Sequence, residues 1–342
     1  MRHIIKLNVR ILTKMTILET GIEAFDQQNV DQLNNDNSPV SEGFFLEDVK
    51  TDERIGSVVY QGRAPLGPST VEFTYESMPG DEGKPFALIF KGYGATKSVY
   101  SRFRKGFVEN GMPAVTWKSL RNHPDDLDRQ IIDPQGLIVD TSHVVADAVN
   151  KEFGEAQANG IGHSMGGVSV TRSASKKPEL FGSVSLVAPA GVSGHKIHSL
   201  AGRVVPFFTK ELVPSIPQLE FDNDITVIRE EVRHFLFNPV LAIAEALSVA
   251  RADVRDDLRY LGRLGIIRTI LVFQNDNFFP ACEVNSRSNN PELFNRFDVF
   301  GDPRANHLAP QLQPKAVATH VIDMLRSPDD FQYTSPRLNQ AA

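Results

Sequence analysis

The hexapeptide Gly162-His163-Ser164-Met165-Gly166-Gly167 sets a serine between glycines, after the candidate strand AQANGIG and before the helical run VSVTRSASKK. A sharp strand-to-helix turn of this kind holds its serine in a strained backbone conformation and crowds its neighbours, which is the physical reason for glycine on both sides. Serine is a weak nucleophile at its own pKa. It needs a base within hydrogen-bonding reach and a third group to orient that base, in the chain order serine, acid, histidine on such a sheet. His307, in GDPRANHLAP, follows the strand FDVFG and precedes the last helix, and Asp276, in QNDNFFP, directly follows the strand TILVF. Both fall at carboxyl ends of strands, where open α/β sheets form their crevices. Asp302 competes for the acid role from His307's own loop, but it sits in a Gly-Asp-Pro turn sequence, so Asp276 is the expected acid.

Negative charge developing on an attacked carbonyl oxygen calls for N–H donors. Ser164 is followed by Met165, whose N–H stands at a helix N-terminus and is the first candidate. The second is the N–H of Tyr93 in Lys91-Gly92-Tyr93-Gly94, where glycines after the strand FALIF let the backbone approach a substrate, although an ordinary strand-to-helix turn reads the same way. His163 adjoins the serine, and its side chain should leave the turn in another direction, so it is not the expected base. His195 and His198 form an H-x-x-H pair with no third ligand at a recognisable spacing, and no metal or cofactor is expected. His3, His123, His143, His234 and His320 have no motif around them.

The elements that must hold these residues are readable from pattern. FFLEDV, RIGSVVY and TVEFTYES are strand-like runs separated by the turn clusters APLGPS and PGDEGKP, and predict an antiparallel start to a sheet. From FALIF onward, continuous apolar strands alternate with amphipathic helices, the signature of a parallel sheet covered on both faces. Between SVSLVAPAG and TILVF the chain runs far beyond the dozen or so residues a crossover requires, so an insertion is expected there. Asn238 and Pro239 suit a helix start, and PVLAIAEALSVARADVRDDLRYLGRL continues as one long helical pattern. The expected organisation is a partly disordered N-terminal arm over 1–43, polar from Asp26 onward, a core over 44–192 and 265–330, a helical cap over 193–264 and a tail over 331–342.

The 342 residues suffice for one large α/β domain with an insertion, and 41% hydrophobic with 23% charged residues suits a globular chain with a sizeable core. A net charge of −6 gives no general attraction to nucleic acid or anionic membrane. The basic N-terminal segment, with Arg2, Lys6, Arg10 and Lys14, breaks up its own apolar run, so neither a secretory signal nor a membrane span is expected. Cys282 is the sole cysteine, which excludes an internal disulfide. The expectation is a cytoplasmic protein acting on a small molecule, with its oligomeric state open.

Taken together, these residues resemble the α/β-hydrolase superfamily, particularly its capped lipase- and esterase-like members with the Gly-His-Ser-Met-Gly-Gly turn. The likeness runs from about Phe44 to Arg326. It implies Ser164 as nucleophile, Asp276 as acid in a strand-Asp-x-x-x-Pro context ending at Pro280, and His307 as base in a His-Leu-x-Pro run. It also implies ester hydrolysis through an acyl-enzyme. Where the family usually has His-Gly after the third strand, this chain has Lys91-Gly92, a departure that touches the shaping of that loop. Phe207, Phe208, Phe221, Phe235 and Phe237 make the insertion aromatic, which suits an apolar acyl group or simply a cap core. The same residues also serve carbon–carbon bond hydrolases, acyltransferases and lyases, and a ligand-binding receptor with little turnover would look alike.

Overall fold

The computed structural model describes residues 45–67, 69–92, 100–118, 133–193, 202–203, 210–211, 239–288 and 290–328. The polar arm, the C-terminal tail, most of the insertion with its five phenylalanines, His195, His198 and Tyr93 lie outside the described residues. Within them, the runs rich in β-branched and aromatic residues form an antiparallel meander of β1 (Phe45–Asp52), β2 (Ser57–Leu66) and β3 (Ser69–Ser77). β2 extends through Ala64, Pro65 and Leu66, which the sequence pattern assigns to a turn. Among the described residues the pairing of β1 runs to Phe45 opposite Arg63, and Pro65 pairs with Thr70 of β3 alone. A proline is tolerated where a strand has a single neighbour.

The remaining strands are β4 (Phe86–Phe90), β5 (Ala114–Trp117), β6 (Ala158–His163), β7 (Phe181–Val187), β8 (Ile267–Phe273) and β9 (Arg296–Phe300). They complete a nine-stranded sheet in the order β1-β2-β3-β5-β4-β6-β7-β8-β9, antiparallel up to the β3/β5 pair and parallel from β5 to β9. Chain order reverses at β4, which lies between β5 and β6. Such a switch point opens a crevice at the carboxyl ends of the strands.

The helices are α1 (Ser101–Glu109), α2 (Pro134–Phe153), α3 (Gly166–Lys176), α4 (Pro239–Arg251), α5 (Arg255–Arg263), α6 (Ala281–Ser288), α7 (Ala309–Leu312) and α8 (Pro314–Arg326). β4 shows why both faces of the sheet need cover. Leu88 and Phe90 join Val145, Val149, Val168 and Leu258 in one core, while Ala87 and Ile89 join Phe103, Phe107, Val317 and Val321 in another. The two-residue side-chain period of a strand makes this split.

The long helical pattern after Pro239 is not one helix. It breaks over Ala252–Val254, between α4 and α5. There the Val254 N–H leaves the helical ladder and donates to the Gly191 carbonyl at 3.0 Å, and the Asp253 carboxylate accepts from the Arg255 N–H at 3.1 Å. Ala252 and Val254 are buried in the core, and Leu258 and Leu261 of α5 follow them. Tertiary packing overrides the local helical preference. α5 packs on α3 and on β8, so these inserted residues cover the sheet.

One polar cluster fixes α1 against the antiparallel strands. Arg104 donates through Nε to Glu76 Oε2 at 2.8 Å and through Nη1 to Thr116 Oγ1 at 3.1 Å, and Ser57 donates to Glu76 Oε1 at 2.6 Å. All four side chains are buried. Removing one partner of a buried ion pair leaves the other charge without compensation, at a cost of about 3–5 kcal/mol. Arg104→Met should therefore lose about that much in denaturant unfolding free energy. A loss under about 1 kcal/mol would mean that Glu76 finds another partner or sheds its charge.

Candidate active site

β6 ends at His163, and α3 begins at Gly166 with Met165 as its N-cap. Between them Ser164 takes a φ of +55°, a conformation few side-chain-bearing residues adopt. Backbone bonds hold it there: its N–H donates to the Val187 carbonyl at 3.1 Å, and its carbonyl accepts from Ala190 at 3.0 Å. The flanking glycines are forced. A Cβ on Gly166 would lie 2.2 Å from the Phe90 carbonyl oxygen, and one on Gly162 would lie 2.5 Å from that of Gly166. These are backbone atoms of central strand and helix, which cannot move aside.

Ser164, His307 and Asp276 come together although they are distant in sequence. The Ser164 hydroxyl lies 3.0 Å from His307 Nε2, and His307 Nδ1 lies 2.9 Å from Asp276 Oδ2. An ionised carboxylate only accepts, so Nδ1–H donates to Asp276 and Nε2 is left to accept the serine proton. Asp276 Oδ1 in turn accepts from the Phe278 and Phe279 N–H groups at 2.7 and 2.8 Å, which fixes the carboxylate plane. All three side chains are buried. The arrangement can deprotonate the serine hydroxyl as it attacks and stabilise the imidazolium that results. Asp302 stands apart. It accepts from the Arg304 N–H at 2.8 Å and from the Arg304 guanidinium, which holds its carboxyl below the usual range, and it serves the turn.

Three further residues shape the site that the sequence did not single out for it. His163 Nε2 lies 2.9 Å from the His307 carbonyl oxygen, and Nδ1 lies 2.5 Å from the Tyr100 hydroxyl. A carbonyl cannot donate, so Nε2 carries the proton and Tyr100 donates to Nδ1. The Tyr100 oxygen then accepts from the Gly92 N–H at 2.9 Å. This chain links the loop after β4 to the loop that carries His307. Burial, reinforced by the nearby charge of His307 when protonated, pushes the His163 pKa well below the ordinary histidine value. Glu211, from the insertion, is the third. Its two oxygens accept from the Asn277 N–H at 2.6 Å and the His307 N–H at 2.8 Å. No local pattern distinguishes Tyr100 or Glu211 in the sequence, because each acts across a long stretch of chain.

Of the expected N–H donors, Met165 heads α3 immediately after the serine, whereas Tyr93 is outside the described residues. Its neighbour Gly92 runs close against Ser164, since a Cβ there would lie 3.3 Å from the Ser164 Cβ. Lys91, in the position where the resembled family usually has histidine, is buried and donates to the Trp117 carbonyl at 2.6 Å, tying this loop to the end of β5. Among the described residues no group of three or more His, Cys, Asp or Glu side chains is placed to hold a metal ion. No helix among them is long and apolar enough to cross a membrane.

Sheet order, the serine at the strand-to-helix turn and the positions of the acid and histidine define an α/β-hydrolase fold. Solved structures of that fold match the chain over most of its length. A membrane phospholipase A described as a bacterial virulence factor superposes with a TM-score of 0.58 at 16% identity, covering 80% of this chain and 87% of its own. A thermophilic esterase from Thermogutta terrifontis matches at 0.51 and 18% identity, over 79% of this chain and 99% of its own. A bromoperoxidase from Bacillus anthracis matches at 0.54 and 15% identity, over 78% of this chain and 99% of its own. No protein-family model and no curated protein sequence matches the chain. The shared fold spans several chemistries, so the site must decide function.

Two outcomes test the buried chain through His163. Tyr100→Phe leaves the Gly92 N–H and His163 Nδ1 without a partner, and the unfolding free energy should fall by about 1–3 kcal/mol. Because the folded-state pKa of His163 is depressed, the unfolded chain takes up a proton first as pH falls. His163 therefore costs nothing above about pH 7, and stability is lost progressively below about pH 6.5. The His163→Gln variant should show a shallower loss over that range in urea titrations at stepped pH. Identical slopes would mean that His163 protonates inside the fold.

Proposed function

We propose that this chain is a serine hydrolase that cleaves carboxylic esters of small to medium apolar substrates through an acyl-enzyme. The observation that carries the reading is the buried chain from the Ser164 hydroxyl through His307 to Asp276, with the serine held at positive φ at the head of α3. In the proposed reaction Ser164 Oγ attacks the ester carbonyl carbon while its proton passes to His307 Nε2. Asp276 stabilises the imidazolium, and the N–H groups of Met165 and Tyr93 receive the developing oxyanion. Collapse breaks the ester C–O bond, and His307 returns the proton to the departing alkoxide. Water then attacks the acyl-enzyme with His307 again as base, releasing the acid and restoring Ser164.

The choice of esters draws support from the similar solved structures that are themselves an esterase and a phospholipase. The aromatic sequence of the insertion, with Phe207, Phe208, Phe221, Phe235 and Phe237, suits an apolar acyl or alkyl group. A dry site strengthens each of the electrostatic contributions, because charges formed there are poorly screened.

A fluorophosphonate should modify the chain at Ser164 alone, and labelling that survives Ser164→Ala would refute the assignment. Asp276→Asn should preserve shape but favour the wrong His307 tautomer, lowering turnover of a chromogenic ester by several orders of magnitude, about 10⁴-fold in the serine-protease arrangement. Asp302→Asn should cost less than about tenfold, since its bonds are to Arg304. A severe loss in Asp302→Asn beside near-normal Asp276→Asn would exchange the two roles.

A further inference from the structure

The insertion touches the loop that carries Asp276 at two described points, Arg203 and Glu211. Arg203 donates through Nη1 to the Phe278 carbonyl at 2.9 Å and through Nη2 to both oxygens of Glu283 at 2.6 and 2.7 Å. Glu211 accepts from the Asn277 N–H on that loop and from the His307 N–H on the histidine loop. One carboxylate thus bridges two loops whose junction sets the distance from Asp276 to His307. Glu211 is almost wholly buried, at 1% exposure. A buried carboxylate is costly unless its charge is used, and here both oxygens meet N–H donors, as an ionised group requires.

We propose that Glu211 is a positioning residue of the triad, which locks the acid loop to the histidine loop and adds a second negative charge beside the His307 imidazolium. This rests on the serine-hydrolase reading of Ser164, His307 and Asp276. Among the described residues, the polar and titratable groups with contacts to His307 given above are Asp276 from the acid loop, Glu211 from the insertion, His163 from β6 and Ser164 from the turn, beside the rings of Phe278 and Phe279. His163 is neutral, so Asp276 and Glu211 are the only negative charges in this set. Burial, then repulsion from Asp276, raise the Glu211 pKa, while protonated His307 and the two N–H donors pull it down. The attraction between Glu211 and His307 is mutual, so the carboxylate favours the imidazolium formed during catalysis. It also offers the insertion a direct handle on the catalytic base.

The test is Glu211→Gln in the full chain, read in two ways. An amide keeps the volume and one acceptor oxygen, but its NH2 group confronts a backbone N–H and the charge is gone. The His307 imidazole, followed by NMR and assigned by comparison with His307→Gln, should titrate at least about half a pH unit lower. Turnover of a short chromogenic ester should fall about ten- to a hundred-fold in kcat, with KM within about twofold. Glu211→Asp, which restores the charge on a shorter stem, should return the titration toward the parent and guards against a Gln variant that fails to fold. An unchanged titration in folded Glu211→Gln overturns the proposal, whether or not kcat falls, because a purely structural tie would leave the ring's proton affinity alone. A parent chain that binds no fluorophosphonate and turns over no ester would instead sink the hydrolase reading, while the titration still reports on Glu211.

Discussion

Ser164 can stand at positive φ because Gly162 and Gly166, two residues to either side, bring no side chain against the backbone that crowds the turn. β6 lies directly beside β4, and α3 leaves the end of β6 so abruptly that its first turn touches the Phe90 carbonyl. That contact admits a glycine and no other residue at position 166. A strained residue of this type costs on the order of 1–3 kcal/mol, which the rest of the fold must offset. The bonds from Ser164 to Val187 and from Ala190 to Ser164 show where: the end of β7 is stitched to the turn on both sides. The strain lifts the serine out of both strand and helix and presents its hydroxyl to the histidine loop. Register, strand order and the two apolar cores all serve to hold that one backbone geometry.

Around this turn the hydrogen bonds fix where each proton resides. Carbonyl and carboxylate oxygens only accept, so His163 carries its proton on Nε2 and His307 carries its own on Nδ1. Two neighbouring histidines, with rings 4.9 Å apart, are thereby locked in opposite tautomers. His163 spends its donor on the backbone of the His307 loop and its acceptor on Tyr100, which ties the loop after β4 into the same network. Each member is satisfied and buried, and a network of that kind rigidifies its surroundings more than its bonds taken singly. Ser164, His307 and the backbone at Gly92 are thus held relative to one another by the buried side chains of His163 and Tyr100.

The kind of fold was legible along the chain, and so were the three residues that the structure brings together at the turn. The turn announces itself because Gly162, Ser164 and Gly166 are close in the chain and their geometry is a local steric matter. Asp276 and His307 are legible for a related reason: each follows a strand whose continuous apolar pattern marks a buried parallel sheet, so their common edge can be inferred before their distance is known. Where local preference was the only guide it misled. The run after Pro239 has a helical pattern throughout, yet Val254 is drawn to the Gly191 carbonyl and the helix stops. Pro65 looks like a turn residue and is a strand residue, paired with Thr70 of β3.

Tertiary structure alone decided which residues support those groups. Tyr100 meets His163, and Glu211 meets His307, across separations that leave no periodic or compositional trace. A lone tyrosine and a lone glutamate look the same in sequence whether they face water or a catalytic loop. What distinguishes them is burial together with a complementary donor or acceptor, and both are properties of the packed chain. The substitution of Lys91 for the usual histidine is the clearest case. Sequence exposes the departure, and only the fold shows the amine turned away to the Trp117 carbonyl, holding its loop by a contact with β5. Local sterics can be read along a chain, whereas the pairing of buried polar groups exists only once the strands and loops have been brought together.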